Sequence, residues 1–317
     1  MQIPEINEQQ ASRILQNKQQ PYFKQYYAFY SSWLGGIIKN PHLMLLPIDD
    51  HLVHRGDGVF EAIKVMARSV YLLDEHLRRL MVSAEKISLK LAFNFAEMKE
   101  IILKTLQVAG KDDAMVRVYL SRGPGSFAAD PYESVGSQFY VVITQFKPLP
   151  ANRYEDGVVI GKSHTYTMPS HLAQAKSCNY LPNVLMKKEA VDRHLDFVIG
   201  IDAKGYITEG SIENVMIVDK EGIITHPKLD YILKGTTMTR ACELARDNGY
   251  NTQIRDITLA DLQSAREVMM AGTTLDILPV VEFEGQKISD GKPGPISKKL
   301  RELMVNDIAI GPSRTAF

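Results

Sequence analysis

The sequence predicts an α+β chain in two domains, on three observations. The first half alternates short strand patterns with two amphipathic helices. A Lys147-Pro148-Leu149-Pro150 segment then interrupts that pattern. The second half resumes as a run of short strands with turns at 202–205 and 219–222. A length of 317 residues suits two domains of about 150 residues each. The expected division is a small N-terminal domain over 1–147, a linker over 148–155 and a larger domain over 156–317.

In the first domain, 6–15 reads as a short helix and the aromatic-rich 22–30 as another. Trp33 precedes Gly35-Gly36 at a turn and is expected to pack. Residues 43–47 read as extended. Gly56 and Gly58 around Asp57 make a tight turn into a strand over 59–65, and a second strand follows at 69–73. Asp74 is expected to cap a helix over 75–89. Its apolar stripe is Leu77, Leu80, Ala84 and Ile87, and His76, Arg79 and Ser83 form a neighbouring polar stripe. A helix over 95–108 and strands over 114–121 and 138–145 complete the domain.

The second domain opens with a strand over 157–162. In the next helix Asn179 is the expected N-cap, Pro182 falls in the first turn, and Leu181, Val184, Leu185 and Ala190 give an apolar face. Strands over 196–201, 206–209, 214–218 and 223–226 form a β-meander. Helices over 239–248 and 258–264, strands over 267–271 and 280–283, and a helix over 296–307 follow.

Composition excludes several classes of function. Lys plus Arg and Asp plus Glu number 37 each, and no basic stripe with interleaved aromatics occurs, so nucleic acid is not an expected partner. The N-terminal stretch is polar and acidic, and no apolar run approaches the ~18–20 residues of a membrane span. Cys178 and Cys242 are the only cysteines, which argues against a disulfide framework or a cysteine zinc site. The histidines show no metal-ligand spacing. A soluble cytoplasmic protein without a metal or membrane partner is expected.

Five features could carry chemistry. Lys176 lies in a short loop just before a helix start, where a nucleophile can be held still; the alternative is a solvated charge. Glu209 ends an apolar strand and precedes Gly210, so its carboxyl is expected to be partly buried and to need a cation or strong donors; a structural ion pair is the alternative. Gly235-Thr236-Thr237 and Gly272-Thr273-Thr274 offer amides and hydroxyls suited to a phosphate, or else plain caps and turns. Arg79 could clamp an anion in two-pronged fashion. A lysine, a buried carboxylate, phosphate donors and an arginine are together what pyridoxal 5'-phosphate requires. No P-loop, G-x-G-x-x-G or H-E-x-x-H pattern occurs.

The order and wording of six motifs resemble the class IV aminotransferases, the fold-type IV pyridoxal-phosphate enzymes. The motifs are Gly-Asp-Gly-Val-Phe-Glu at 56–61, Glu-His-Leu-Arg-Arg-Leu at 75–80, Lys-Ser-Cys-Asn-Tyr-Leu at 176–181, Thr-Glu-Gly-Ser-Ile-Glu-Asn at 208–214, Leu-Lys-Gly-Thr-Thr at 233–237 and Gly-Thr-Thr-Leu-Asp-Ile-Leu-Pro-Val at 272–280. The resemblance covers about 49–280 and leaves 1–40 outside. It implies a small α/β sandwich N-terminal domain, a larger C-terminal domain with barrel-like β structure, the cofactor in the cleft between them, and a homodimer.

Position by position, the resemblance makes Lys176 the Schiff-base lysine and Glu209 the partner of the pyridine nitrogen. Arg79, Thr236, Thr237 and Thr273 look like the phosphate residues, and Tyr180 like the tyrosine that bonds the ring hydroxyl. Phe60 and Thr274 would face the substrate, and Arg55 or Arg117 would bind its carboxylate. The implied reaction moves an amino group from a small-molecule donor to a 2-oxo acid such as 2-oxoglutarate or pyruvate. His54-Arg55-Gly56 and Gly123-Pro124-Gly125 look more like plant-type D-amino acid aminotransferases than the branched-chain L-amino acid enzymes. Aminodeoxychorismate lyase shares the same kit and is a further alternative.

Overall fold

The computed structural model describes residues 1–165 and 170–317. A short helix, α1 (Glu8–Asn17), is capped by Asn7. The chain then builds a sheet from β1 (Tyr26–Ser31), β2 (Gly36–Ile38), β3 (Gly58–Met66), β4 (Ser69–Tyr71), β5 (Ala114–Ser121) and β6 (Gln138–Thr144). A short α2 (His51–Arg55) precedes β3, and α3 (Leu73–Lys86) and α4 (Phe95–Ala109) connect β4 to β5. The strands lie in the order β4-β3-β5-β6-β1-β2, every pair antiparallel. Leu77, Leu80 and Ala84 of α3 and Met98, Ile102 and Leu106 of α4 pack on the face formed by Val59, Ile63, Val116, Val118 and Val141. Period-two alternation in the strands and helical spacing in α3 and α4 place those side chains on facing surfaces.

Three expectations fail here. The aromatic stretch 22–30 is not a helix: a 3-10 turn at Pro21–Gln25 leads into β1, which pairs with both β2 and β6. Tyr and Phe fit a pleated surface, and a two-sided ladder satisfies more backbone than an isolated short helix would. Asp74 does not cap α3. Leu72, at φ 55°, occupies the cap position with no side-chain bond, and the Asp74 carboxylate instead accepts from Lys99 Nζ of α4 at 2.7 Å. Trp33, expected to pack, is half exposed in the turn before β2.

The second part comprises α5 (Asn152–Glu155), β7 (Val158–Lys162), α6 (Ser170–Ala173), α7 (Leu181–Asp192), β8 (Phe197–Ile201), β9 (Ile207–Gly210), β10 (Asn214–Val218), β11 (Ile224–His226), α8 (Thr236–Asp247), β12 (Thr252–Ile254), α9 (Leu259–Gln263), β13 (Glu267–Gly272), β14 (Asp276–Phe283), β15 (Gln286–Lys287) and α10 (Pro295–Ile310). Six strands, in the order β10-β13-β14-β7-β8-β9, close into a barrel where Glu209 of β9 pairs with Asn214 of β10. Val158, Ile160, Ile199, Ile207, Val215 and Leu278 belong to the cluster that fills it. Met216, Val218 and Met269 point the other way, onto Met238 and Ala241 of α8 and Leu300 and Met304 of α10. The expected meander is only part of this architecture. β7 pairs in parallel with both β14 and β8, so closure depends on segments distant in sequence.

The start and buried face of α7 also differ from expectation. Its cap is Tyr180, without a side-chain bond, and Asn179 stays exposed outside the helix. Leu181, Val184 and Leu185 are 64%, 56% and 45% exposed; the residues buried against Val198 are Met186 and Ala190.

The last strand, β16 (Arg314–Ala316), returns to pair antiparallel with β4, making the first sheet seven-stranded. The other strands of the first sheet come from residues 26–144, and the second sheet from residues 158–287. A Lys64–Asp276 ion pair from β3 to β14, its lysine buried and its aspartate partly so, also joins the two parts. Lys64→Met leaves Asp276 without its partner and is expected to cost about 3 kcal/mol, read as a lower urea midpoint at unchanged slope. An unchanged midpoint would show that the pair contributes nothing net. Among the described residues no helix is long and apolar enough to cross a membrane.

Candidate active site

A cavity of about 440 Å³ opens where the first sheet meets the barrel. Phe60, Arg79, Arg117 and Tyr119 line it from one side, and Lys176, Tyr180, Glu209, Thr236, Thr237, Thr273 and Thr274 from the other. The structure thus brings together every candidate named from the sequence except Arg55.

Lys176 is positioned by the opposite part of the molecule. Its amide donates to Ser83 Oγ at 3.0 Å, its carbonyl accepts from the Phe60 amide at 2.9 Å, and the Cys178 amide donates to the Gly58 carbonyl at 2.8 Å. The loop therefore lies along the edge of β3, with Ser177 joined to Val59 by an isolated antiparallel bridge. Gly58 lets β3 lie close to β5: a Cβ there would sit 2.8 Å from the Leu120 carbonyl oxygen. The Lys176 amine lies 4.6 Å from the Phe60 ring centroid and 5.7 Å from that of Tyr180. Burial, then the nearby Arg79 charge, pushes this amine down to about 8, although Glu61, Glu209 and Glu213 oppose the shift.

Glu209 ends β9. Its Oε2 accepts from Asn214 Nδ2 and from the Leu233 amide, each at 3.1 Å. Asn214 is itself fixed by donating to the Leu233 carbonyl at 3.0 Å. Burial pushes the carboxyl up to about 8, against the lowering pull of the Leu233 amide, Lys176 and Arg79. Glu213, four residues on, is also buried and pushed up by burial.

At the far end, α8 starts at Thr236 after Gly235, which supplies no side-chain cap. Thr236 and Thr237 are buried in the first turn. A Cβ on Gly235 would lie 1.8 Å from Asn214 Oδ1, so only glycine lets the helix start this close to β10.

Arg79 is not a free clamp. Its Nε and Nη2 donate to the two carboxylate oxygens of Glu61, each at 2.7 Å, and Nη1 donates to the Lys234 carbonyl at 3.1 Å. His76 Nδ1 lies 2.6 Å from the same carboxylate, and its Nε2 lies 3.3 Å from Thr236 Oγ1. Burial would raise the Glu61 carboxyl, but Arg79 and then His76 hold it down to about 2.

Sequence reasoning did not assign Glu61, His76 or Ser83 to the site. Their signal was present: Glu61 closes one of the six motifs, and His76 and Ser83 share the polar stripe of Arg79.

Tyr180 packs edge-on against Phe60 at 5.0 Å, and burial pushes its phenol up, so the hydroxyl keeps its proton. Phe60 stacks on Tyr119 at 6.1 Å. Arg117 borders the cavity from β5, with Nη1 donating to Thr144 Oγ1 at 3.0 Å. Thr273 and Thr274 occupy the turn between β13 and β14. Arg55 is exposed at the end of α2 and donates to the His54 and Phe127 carbonyls, outside the cavity lining.

Residues 58–283 match the family model described as amino-transferase class IV. A chloroplastic D-amino-acid transaminase of Arabidopsis thaliana is 35% identical over 297 residues, covering 91% of this chain and 78% of the relative. A putative branched-chain-amino-acid aminotransferase of Methanocaldococcus jannaschii is 33% identical over 255 residues, covering 80% and 88%. Among solved structures, a T.th. branched-chain amino acid aminotransferase with pyridoxamine 5'-phosphate is similar at a TM-score of 0.85 and 25% identity, covering 90% of this chain and 94% of that one.

Proposed function

The chain belongs to the class IV aminotransferases, and on that premise we propose that it moves an amino group between an amino acid, D-series in preference, and a 2-oxo acid such as 2-oxoglutarate or pyruvate. The observation that carries this reading is the Lys176 amine, lowered to about 8, in one cavity with the buried Glu209 carboxyl. The D-series preference rests on the similarity to the Arabidopsis thaliana transaminase. The Methanocaldococcus jannaschii relative supports branched-chain L-amino acids as the second reading.

The family depends on pyridoxal 5'-phosphate, and the donor set fits that group. The cavity lining combines an amine able to lose its proton, a carboxyl from the barrel strand β9, and an uncapped helix N-terminus with two buried threonines. When bound, the cofactor supplies an electron sink conjugated to the substrate α-carbon.

Lys176 would hold the cofactor through Nζ and, once displaced by the amino donor, take the proton from the substrate α-carbon and return it. Glu209 would ionise against a protonated ring nitrogen and keep that nitrogen charged. The Tyr180 hydroxyl would donate to the ring oxygen. Thr236, Thr237, Thr273 and the Nη1 edge of Arg79 would hold the phosphate. Phe60, with Tyr119 behind it, would pack against the substrate, the Thr274 backbone would face it, and Arg117 would take its carboxylate.

The exposed Leu181, Val184, Leu185 and Ile212 support the homodimer as part of this reading. Arg55, outside its own chain's cavity, would then serve only by reaching that of a second copy. The two free cysteines accord with a reducing compartment such as the cytoplasm.

The test is a half-reaction screen. The loaded protein is mixed with D-alanine, D-glutamate, L-leucine and L-glutamate, and conversion to the pyridoxamine form is followed by absorbance. Conversion by L-leucine and by no D-amino acid would replace the preferred reading with the second. In the same assay Arg117→Ala is expected to raise the donor KM about tenfold or more, with kcat little changed. An unchanged KM would remove Arg117 from the substrate site.

A further inference from the structure

The buried Glu61 carboxylate can only accept hydrogen bonds. Oε1 accepts from Arg79 Nε, and Oε2 accepts from Arg79 Nη2 and His76 Nδ1. His76 Nδ1 must therefore carry a hydrogen whether the ring is neutral or cationic. The only position on this ring free to change is Nε2, and Nε2 faces Thr236 Oγ1 at 3.3 Å.

With the ring neutral, Nε2 is a lone pair. The single hydroxyl hydrogen of Thr236 points to it, and the hydroxyl can offer only acceptor capacity to the cavity. With the ring cationic, Nε2–H donates to Thr236 Oγ1, and the hydroxyl hydrogen is free to turn away. One proton on His76 thus converts Thr236 from acceptor to donor toward the first turn of α8, where its backbone amides already point.

The groups facing His76 act in opposite directions. Glu61 on β3 favours the proton. Burial, Arg79 one turn along α3, Lys176 in the loop and the positive end of α8 all oppose it. The result without an anion is a ring held below its ordinary value, with burial the largest cause. A phosphate monoester carries close to two negative charges near neutral pH. Seated beside Thr236, it adds negative charge that favours the proton on this ring.

We propose that Glu61, His76 and Thr236 form a proton relay at the phosphate end of the cavity: binding of a phosphate monoester there draws a proton from solvent onto His76 Nε2 and releases the Thr236 hydroxyl to donate to the ester. His76 is a positioning residue in this scheme, acting through Thr236. The relay rests on the cofactor reading given above, because that reading places the phosphate at Thr236.

The test uses pyridoxamine 5'-phosphate, which binds without bonding covalently to Lys176, and pyridoxamine, which lacks the phosphate. Nitrogen-15 histidine spectra of the wild-type chain at about pH 7 should show His76 Nε2 protonated with pyridoxamine 5'-phosphate and unprotonated with pyridoxamine. Calorimetry in two buffers of different ionisation heat should show proton uptake on binding that His76→Gln reduces. Glutamine can still donate to Glu61 and accept from Thr236 but cannot titrate. Its affinity for pyridoxamine 5'-phosphate should fall about tenfold at about pH 6.5 and much less near about pH 9. A His76 ring that stays neutral in the complex, or proton uptake unchanged by His76→Gln, would overturn the relay while leaving the cofactor reading intact. No binding of pyridoxamine 5'-phosphate at any pH would overturn both.

Discussion

Lys176→Ala is expected to lower turnover of D-alanine and 2-oxoglutarate by about 10⁴-fold or more, with little change in the thermal midpoint. The fold should survive because the bonds that pin this loop to Ser83, Phe60 and Gly58 run through backbone atoms and not through the lysine side chain. The wild-type amine also predicts a pH signature. An amine lowered to about 8 is about one-tenth neutral at pH 7, whereas one at its ordinary 10.5 is neutral in about one molecule in three thousand. Capture of pyridoxal 5'-phosphate, followed by absorbance, should therefore speed up with pH to about 8 and then level off. A rate still climbing above about pH 9 would show that the cavity leaves the lysine unperturbed.

Glu209→Gln is expected to act in opposite directions on function and stability. In the loaded protein it removes the charge that would pair with the ring nitrogen, and turnover should fall about 10²–10³-fold. In the cofactor-free protein the sign reverses. The carboxyl rises from 4.5 to about 8 on folding, chiefly by burial, so the folded state binds the extra proton between those two values. Stability is fully present below the lower value and declines as pH rises toward the higher one. Glutamine never ionises and escapes that loss. The cofactor-free variant should thus be more stable than wild type at about pH 8, on the order of 3 kcal/mol, with the gap closing below about pH 5. Lys176 works in a different window: its lowered value makes stability rise between about 8 and 10.5. Urea titrations of both cofactor-free proteins across this range would decide it. Equal midpoints at every pH would mean that Glu209 is not held neutral in the cavity.

The site was legible in proportion to how much of it lies in short contiguous motifs. Lys176, Glu209, Thr236, Thr237, Thr273 and Arg79 each sit beside a glycine, a helix start or a polar stripe that marks them in the sequence, and all line the cavity. Glu61 was passed over because its pattern is that of any strand residue, and its two partners lie 15 and 18 positions away. Arg79 was read as a two-pronged anion clamp, and its bidentate partner in the structure is a carboxylate of the protein itself. Arg55 shared a motif with the site and yet lies outside the cavity, because α2 directs it toward the 127 carbonyl. Of the apolar face read onto α7, Ala190 is buried while Leu181, Val184 and Leu185 stay uncovered in this chain, since periodicity shows that a face is apolar without saying what covers it.

By itself, the sequence determined the α+β class, most helices and strands, and the family, and it singled out the lysine and the carboxyl as candidates. Each of these follows from local periodicity, caps and turns, or from short motifs whose spacing survives without knowledge of the fold. Only the tertiary structure decided the closure of the barrel, the return of β16 to the first sheet, the clasp of β3 on the Lys176 loop, and the buried Glu61–His76–Thr236 chain. These depend on contacts between segments far apart in sequence. Burial and the charges brought together there then lower the Lys176 amine and raise the Glu209 carboxyl. No local pattern contains those terms, because the free energy of an ionised group depends on everything around it.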